Sequence, residues 1–296
     1  MTFNGKGSND KEGFIPVEGG RVYYTIAGGG PKTPLLVLHG GPGFAHDLLR
    51  KLDPLGNDRP VIYYDQLGAG KSDRPTDKGL WNIDRFVREL AEVRRALGLK
   101  EVILYGASWG TMLAVDYLLT DPTGVKAAIL GHPCLSATRW KADTARLLKQ
   151  LPEKVQATIA LHEAAGTTSS QEYQDAFMEF VKNFACRIDP LPQTVLDAFT
   201  VANMEVYTTM WGPSEWYPTG NLKDYERVAR LGKIRLPVLF LCGRYDEATP
   251  ESVQVYKENL PGSRMYIIEN ASHLAYLEQQ AEYLSQVRNF FSELGI

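Results

Sequence analysis

The segment Val102-Ile103-Leu104-Tyr105-Gly106-Ala107-Ser108-Trp109-Gly110 decides the fold of this chain. Its first four residues are apolar and predict a buried strand, and the apolar stretch that begins at Trp109 predicts a helix that ends before Pro122. Residues 106–110 between them match the pattern G-x-S-x-G, in which a sharp turn lifts a serine clear of a strand. This context predicts a nucleophile at Ser108, although the pattern alone also fits a serine that merely caps a helix.

Apolar runs of strand length alternate with helical segments on both sides of this turn. Strands are predicted at 21–26, 35–38, 61–64, 127–130, 238–241 and 265–268, and helices at 83–97, 251–259 and 275–294. Strands that are apolar throughout are typical of a parallel sheet with helices on both faces. The predicted fold class is therefore α/β, with a mostly parallel, doubly wound sheet.

Residues 136–232 interrupt the alternation. This stretch has helical patches at 142–149 and 171–184, scattered prolines, many aromatic residues and no paired strand runs. We interpret residues 1–135 and 233–296 as one α/β core and residues 136–232 as an inserted helical cap, or lid, domain. The alternative is that two further strand–helix units lie in this stretch. The first ten residues are predicted to form a loose tail.

Composition excludes several classes of protein. The chain has 296 residues, of which 44% are hydrophobic and 23% charged, and its net charge is -3, which is ordinary for a globular protein. It has no block of like charges, so we expect no nucleic-acid partner. Its apolar runs are too short to cross a bilayer, and its N-terminus does not resemble a signal peptide. Three widely spaced cysteines argue against a disulfide framework or a zinc site and favour a cytoplasmic location.

An acid and a base follow two later strands in the order that serine chemistry requires. Serine is a poor nucleophile at neutral pH and needs a base that is held by an acid. Asp246 follows the strand at 238–241, and His273 follows the strand at 265–268. Ser, Asp and His in this chain order, each after a strand, are typical of the α/β hydrolases. We therefore predict the catalytic triad Ser108, Asp246 and His273.

The loop His39-Gly40-Gly41-Pro42-Gly43 follows the strand at 35–38. Its position matches the loop that supplies one amide to the oxyanion hole in this fold, and glycine lets that amide approach the substrate. We predict the backbone N–H groups of Gly41 and Trp109 as the two oxyanion donors. His39 is interpreted as a residue that fixes the loop rather than as a catalytic one.

Two other motifs do not support a cofactor. Residues 68–72, Gly-Ala-Gly-Lys-Ser, resemble part of a phosphate-binding loop, but Asp65 stands where that motif needs its first glycine. His162-Glu163 lacks the second histidine of a zinc protease. We expect no cofactor and no metal.

The motifs resemble the proline iminopeptidases, which are serine aminopeptidases of the α/β-hydrolase fold with a helical cap. The resemblance extends from about residue 39 to about residue 273. The resembling segments are His39–Gly43, Tyr64–Ser72, Gly106–Gly110, Gly212–Glu215, Gly243–Pro250 and Ser272–His273. The Gly-Pro-x-Glu segment in the cap and the Asp-Glu pair at the acid position set this group apart from generic esterases.

The resemblance implies roles for two glutamates. Glu215 and Glu247 would grip the free α-ammonium group of the substrate. Two convergent carboxylates in a partly dry site bind a cation strongly, as an exopeptidase requires. The alternative is that each is a surface or ion-paired residue, with Glu247 paired to Arg244.

The expected function is release of an unblocked N-terminal residue, preferably proline, from short peptides or amides through an acyl-enzyme. Thr111 departs from the second glycine that often continues the turn in the family, which makes the preference for proline less firm than the chemistry. An amino-acid amidase or arylamidase with a broader pocket is one alternative. A catalytically silent α/β hydrolase that binds a ligand is another. The partner expected is a short peptide or amino-acid amide, without nucleic acid or membrane, and the sequence gives no oligomeric state.

Overall fold

A computed structural model describes residues 11–296 of the protein. Its eight-stranded sheet has the order β1-β2-β4-β3-β5-β6-β7-β8. The strands are β1 (Lys11–Val17), β2 (Gly20–Gly28), β3 (Leu35–Leu38), β4 (Pro60–Tyr64), β5 (Val102–Ala107), β6 (Val125–Gly131), β7 (Val238–Gly243) and β8 (Arg264–Ile268). β1 pairs with β2 and β2 with β4 in antiparallel register, and every later pairing is parallel.

Ten α-helices lie within the described part of the chain. They are α1 (Ile83–Ala96), α2 (Trp109–Thr120), α3 (Ala137–Leu148), α4 (Glu153–Ala165), α5 (Gln171–Phe180), α6 (Gln193–Val201), α7 (Met204–Met210), α8 (Pro250–Glu258), α9 (Ala275–Glu278) and α10 (Gln280–Leu294). A 3₁₀ helix covers Asp47–Asn57, and a π-helical turn, Val181–Ala185, continues α5. In residues 11–296, no helix is both long and apolar enough to span a membrane.

Both faces of the sheet are buried, which explains why its central strands are apolar throughout. Leu36 and Leu38 of β3 pack into the cluster that contains residues of α1, α2 and α8. Leu35 and Val37 point to the opposite face, into the cluster that contains residues of α10 and the 3₁₀ helix. This period-two division confirms the predicted doubly wound α/β sheet and sets the carboxyl ends of β3, β5, β6, β7 and β8 along one edge.

Three local features differ from the sequence prediction. β1 was not predicted, because it is an edge strand with a single buried residue, Ile15, and therefore shows little apolar pattern. The helix predicted at 275–294 breaks at Gln279 into α9 and α10. The helical patch at 171–184 leaves α-helical geometry after Phe180. The predicted tail, residues 1–10, lies outside the described residues.

Five helices, α3 to α7, occupy the chain between β6 and β7. None of the sheet strands of residues 11–296 lies in this stretch, so the alternative of two further strand–helix units is wrong. The helices have an aromatic cluster of their own, formed around Tyr173, Phe180, Phe184 and Trp216. The division into a core and a cap at residues 136 and 232 stays a prediction.

Candidate active site

Ser108 occupies a strained turn between β5 and α2. Its backbone has φ 53° and ψ -120°, a conformation that costs a non-glycine residue energy and is concentrated at functional sites. The turn requires glycine on both sides. A Cβ atom at Gly106 would lie 2.4 Å from the carbonyl oxygen of Gly110, and one at Gly110 would lie 2.2 Å from that of Leu38. The two glycines of the motif are thus explained by close backbone packing.

Asp246 and His273 follow β7 and β8, and a hydrogen bond joins them. The Nδ1 atom of His273 lies 2.7 Å from Oδ1 of Asp246. Burial raises the pKa of Asp246, but the two histidines that it contacts lower the pKa by more than burial raises it. The net pKa is well below the usual range. For His273, burial lowers the pKa, the Asp246 charge raises it, and the net shift is upward. His273 therefore gains its proton more readily than a free histidine.

Ser108 and His273 line the same cavity, of about 110 Å³, together with Glu215 and Glu247. Most of its other lining is apolar, and the 3₁₀ helix, α5, α6 and α9 all contribute to it. The four predicted residues are thus brought to one cavity, and Asp246 is held behind His273. A mostly apolar cavity with a few polar groups is typical of a binding site for a small molecule.

The two glutamates differ in their surroundings. Glu215 follows α7 and accepts a hydrogen bond of 2.5 Å from the hydroxyl group of Tyr207. Glu247 is 2% exposed, its Oε1 lies 3.8 Å from Nδ1 of His273, and its Oε2 has no hydrogen-bond partner among the described residues. Arg244 pairs instead with Glu269, at 2.5 Å, so the expected alternative for Glu247 is wrong.

The pKa of each glutamate is raised, which favours its protonated form. Burial raises the pKa of Glu215, although the hydroxyl group of Tyr207 and the nearby His273 oppose this. Burial also raises the pKa of Glu247 well above its usual value, and the charges of Glu215 and Asp246 add to the effect. A cation bound between the two would remove the repulsion and favour the ionised form of both.

The loop after β3 lies beside Ser108 and is anchored by its histidine. His39 is buried, its Nε2 atom accepts from the backbone N–H of Gln66 at 2.9 Å, and its Nδ1 lies 2.8 Å from the carbonyl oxygen of Gly40. The Gln66 side chain in turn accepts from the indole N–H of Trp109 at 2.7 Å. Gly41 has φ 113°, which favours glycine, and it lines the cavity next to Ser108. The assignment of Gly41 and Trp109 as oxyanion donors stays a prediction.

His132, directly after β6, was missed by the sequence analysis. Its Nδ1 atom lies 2.5 Å from the second oxygen of Asp246. His132, Asp246 and His273 each offer a metal one ligand atom, all within 4.8 Å of one another, but hydrogen bonds within the group already account for this arrangement. The available signal was position alone, because a polar residue after a predicted strand lies at the edge where sites form.

This combination of sheet, turn and strand-end residues is that of an α/β hydrolase. The sequence profile for the alpha/beta hydrolase fold matches residues 33–280. A proline iminopeptidase from Heyndrickxia coagulans is 47% identical over 285 residues, which cover 96% of this chain and 99% of the relative.

Solved structures give the same result. The crystal structure of VinJ superimposes with a TM-score of 0.91 at 34% identity, covering 96% of this chain and 99% of VinJ. A proline iminopeptidase from Mycobacterium smegmatis has a TM-score of 0.88 at 32% identity, covering 96% and 98% of the two chains. The chain belongs to the proline iminopeptidase family.

Proposed function

We propose that this protein is a serine aminopeptidase that releases an unblocked N-terminal residue, preferably proline, from short peptides or amides. One observation carries the proposal: Glu215 and Glu247 line the same cavity as Ser108 and His273. Of the described residues, none that lines this cavity is Lys or Arg, so neither glutamate has a permanently charged side-chain partner there. The ammonium group of a substrate would fill that role, and the carbonyl group of the same residue would then face Ser108.

In the proposed mechanism, Ser108 Oγ attacks the carbonyl carbon of the substrate's first residue. His273 takes the serine proton at Nε2, because its Nδ1–H is donated to Asp246. The tetrahedral oxyanion is bound by the backbone N–H groups of Gly41 and Trp109.

His273 then gives its proton to the leaving amine, and the carbon–nitrogen bond breaks to leave an acyl-enzyme. A water molecule, deprotonated by His273, attacks this ester in the same way. The free amino acid leaves, and the proton returns to Ser108.

The preference for proline comes from the relatives, and the site is compatible with it. The relative from Heyndrickxia coagulans is named a proline iminopeptidase and is similar over nearly its whole length. An aromatic and aliphatic lining, with Phe177 and Tyr207 among it, suits an apolar first residue. An amino-acid amidase with a broader side-chain preference would use the same chemistry, and a panel of Pro-, Ala-, Leu- and Phe-arylamides and amides separates the two.

Two coarser inferences accompany the proposed activity. We infer that residues 136–232 act as a cap over a core formed by residues 1–135 and 233–296, because helices from this stretch line the cavity. We also infer a cytoplasmic location, because Cys134, Cys186 and Cys242 are free and buried.

The decisive experiment compares a prolyl arylamide with its N-acetylated twin. We expect kcat/KM for the acetylated compound to fall by at least about a hundredfold, since it removes the charged hydrogen bonds to both glutamates. Ser108→Ala serves as the control and should lose on the order of 10⁵-fold in kcat while keeping its fold. Equal hydrolysis of the two compounds would replace the aminopeptidase proposal with a general amidase or esterase. If neither compound and no compound of the panel were hydrolysed, the protein would be a catalytically silent α/β hydrolase that binds a ligand.

A further inference from the structure

His132 lies between the strand that carries Ser108 and the strand that precedes Asp246. It directly follows β6, which pairs with β5 on one side and β7 on the other. Its backbone N–H donates to the carbonyl oxygen of Leu241 at 2.7 Å, and its φ is 54°. A residue other than glycine is strained in this left-handed region, so the conformation of His132 is unusual.

The Asp246 carboxylate accepts four hydrogen bonds, two on each oxygen. Oδ1 accepts from Nδ1 of His273 at 2.7 Å and from the backbone N–H of Ala248 at 2.8 Å. Oδ2 accepts from Nδ1 of His132 at 2.5 Å and from the backbone N–H of Gly243 at 3.1 Å. The bond from His132 is the shortest of the four. Two imidazole rings therefore share one carboxylate, one on each oxygen.

The protonation of His132 follows from its partners. Asp246 is ionised and can only accept, so the hydrogen on the His132 ring is at Nδ1. Burial lowers the pKa of His132, although the Asp246 charge opposes this, and the lowered pKa favours the neutral ring. Its Nε2 atom then carries no hydrogen, and it has no partner among residues 11–296. His132 thus supplies one hydrogen bond and no charge.

Packing fixes the orientation of the His132 ring. It stacks on Tyr283, with ring centroids 5.8 Å apart and an angle of 15° between the planes. It also contacts the His273 ring at 5.2 Å and the Tyr276 ring at 5.8 Å. The hydroxyl group of Tyr283 is itself bonded to that of Tyr105, at 2.7 Å. The donor atom is consequently held on the carboxylate, without freedom to turn away.

We propose that His132 is a positioning residue, whose Nδ1–H holds the second oxygen of Asp246 so that the first oxygen stays on His273. This inference rests on the proposed roles of Ser108, Asp246 and His273. It adds a second histidine, which lines the same cavity and acts on His273 through the carboxylate. The carboxylate interacts with both rings at once. It therefore stabilises protonated His273 less than it would if His273 were its only histidine partner.

Removing the donor should therefore make His273 more basic. The titratable groups that face this assembly are Glu215 after α7, Glu247 after β7, Glu278 in α9, and Tyr105, Tyr276 and Tyr283 from β5, α9 and α10. These groups stay in place when His132 is substituted. A change in the acid limb of the pH profile would accordingly report on Asp246 and His273.

The test compares His132→Ala with His132→Asn. Asparagine is a matched control, because its amide N–H₂ can donate from about the position of Nδ1 and it tolerates positive φ better than other β-carbon residues. With a prolyl arylamide, we expect His132→Ala to lower kcat about tenfold with little change in KM and to move the acid limb of kcat/KM upward by about half a pH unit. We expect His132→Asn to keep the limb in place and most of kcat.

A packing role alone predicts a different result. The two variants would then lose kcat to similar extents at all pH values, with the acid limb unmoved, and this outcome overturns the proposal. Unchanged kcat and an unchanged limb in His132→Ala would overturn it as well. Circular dichroism and the thermal midpoint establish that each variant is folded.

A measurement on the unmodified protein covers the case in which the variants do not fold. With ¹⁵N-labelled histidine, NMR spectra at a pH near 8 should show the hydrogen of His132 on Nδ1 rather than on Nε2. A His132 ring protonated on Nε2 overturns the proposal. Failure of the underlying function is distinguishable, because it would appear as undiminished turnover in Ser108→Ala.

Discussion

The ionised form of Glu247 is proposed to bind the substrate, but it lowers the stability of the empty protein. It is 2% exposed, burial and the charges of Glu215 and Asp246 raise its pKa, and its Oε2 atom finds no partner in the part of the chain that is described. A carboxyl group whose pKa is raised by folding contributes its full stability below the unfolded value, near 4.5. That contribution is lost as pH rises through the folded pKa. The empty site is therefore least favourable at alkaline pH.

The first prediction follows for Glu247→Gln. At pH near 8, its free energy of unfolding should exceed that of the unmodified protein by at least about 1 kcal/mol, because a buried charge is removed. Near pH 4 the difference should be small, since Glu247 is protonated there in both chain states. Urea unfolding at the two pH values measures this. The same variant should lose about ten- to a hundredfold in kcat/KM for free-amine substrates.

Glu282, which is partly exposed and accepts a hydrogen bond from Tyr266, supplies the control for this prediction. Glu282→Gln should change neither quantity appreciably, because surface charges contribute little to stability. A Glu247→Gln protein that is less stable at both pH values would show that the ionised carboxylate is well accommodated in the empty site. The conflict between stability and binding would then be absent.

At the scale of elements, the packing of β5 and α2 against β3 governs the turn at Ser108. Gly110 begins α2 so close to β3 that a Cβ atom would lie 2.2 Å from the backbone oxygen of Leu38. We expect Gly110→Ala to lower the free energy of unfolding by about 2 kcal/mol or more and to displace Ser108, because backbone atoms must separate. Denaturant unfolding and organophosphate labelling of Ser108 measure the two effects.

Gly29 is the matched control for this substitution, since in residues 11–296 a Cβ placed there has no atom within 4 Å beyond the adjacent residues of the chain. Gly29→Ala should change stability by less than about 0.5 kcal/mol and leave labelling intact. Equal effects of the two alanines would remove the steric explanation for the G-x-S-x-G pattern in this chain.

The π-helical turn Val181–Ala185 holds the loop that carries His273. The carbonyl oxygen of Phe184 accepts from the backbone N–H of His273 at 3.2 Å, and that of Ala185 accepts from Leu274 at 2.8 Å. Glu278 in α9 completes the connection, because it accepts from the backbone N–H groups of both Arg187 and Ser272, each at 2.5 Å. These hydrogen bonds connect the helices between β6 and β7 to the loop that positions His273.

We therefore expect Glu278→Gln to reduce kcat several-fold, roughly three- to tenfold, with a smaller change in KM. Glutamine keeps the length of the side chain but offers one acceptor where two backbone N–H groups need one each. Hydrogen exchange at residues 181–187 and 272–274 should accelerate together in the variant. Independent exchange of the two segments, with kcat unchanged, would show that they are not coupled.

The fold and much of the site were predictable because their signals are local. Apolar runs marked the seven strands from β2 to β8, and the glycines around Ser108 are demanded by contacts within one turn. Glu215 and Glu247 were reached only through the resemblance to a family, since neither lies in a pattern that dictates its surroundings. The position of His132 after a strand was its one signal, and its role could not be predicted, because its contact with Asp246 joins residues 114 positions apart.

The whole molecule encloses its cavity between the sheet edge and the helices that follow β6. Residues of α5, α6 and α7, including Phe177, Phe199 and Tyr207, line it together with Phe44 and residues of the 3₁₀ helix. The rings of Phe44 and Phe199 meet at 5.5 Å, and those of Phe177 and Phe199 at 6.1 Å. The space next to Ser108 has a volume of about 110 Å³, and a second cavity of about 330 Å³ adjoins it and shares Phe44, Phe199 and Tyr207 with it.

This enclosure predicts selection by substrate size. Prolyl di- and tripeptides should be cleaved with a kcat/KM at least about tenfold above that for a folded protein that begins with proline, because the folded body cannot follow its first residue between the helices and the sheet. The measurement uses mass spectrometry to follow release of proline from each substrate at equal concentration. The same folded protein with a flexible Gly/Ser extension behind the proline is the control, and it should recover most of the difference. Equal kcat/KM for the dipeptide and for the folded N-terminus without an extension would mean that the helices between β6 and β7 do not restrict entry, and residues 136–232 would then lose their assignment as a cap.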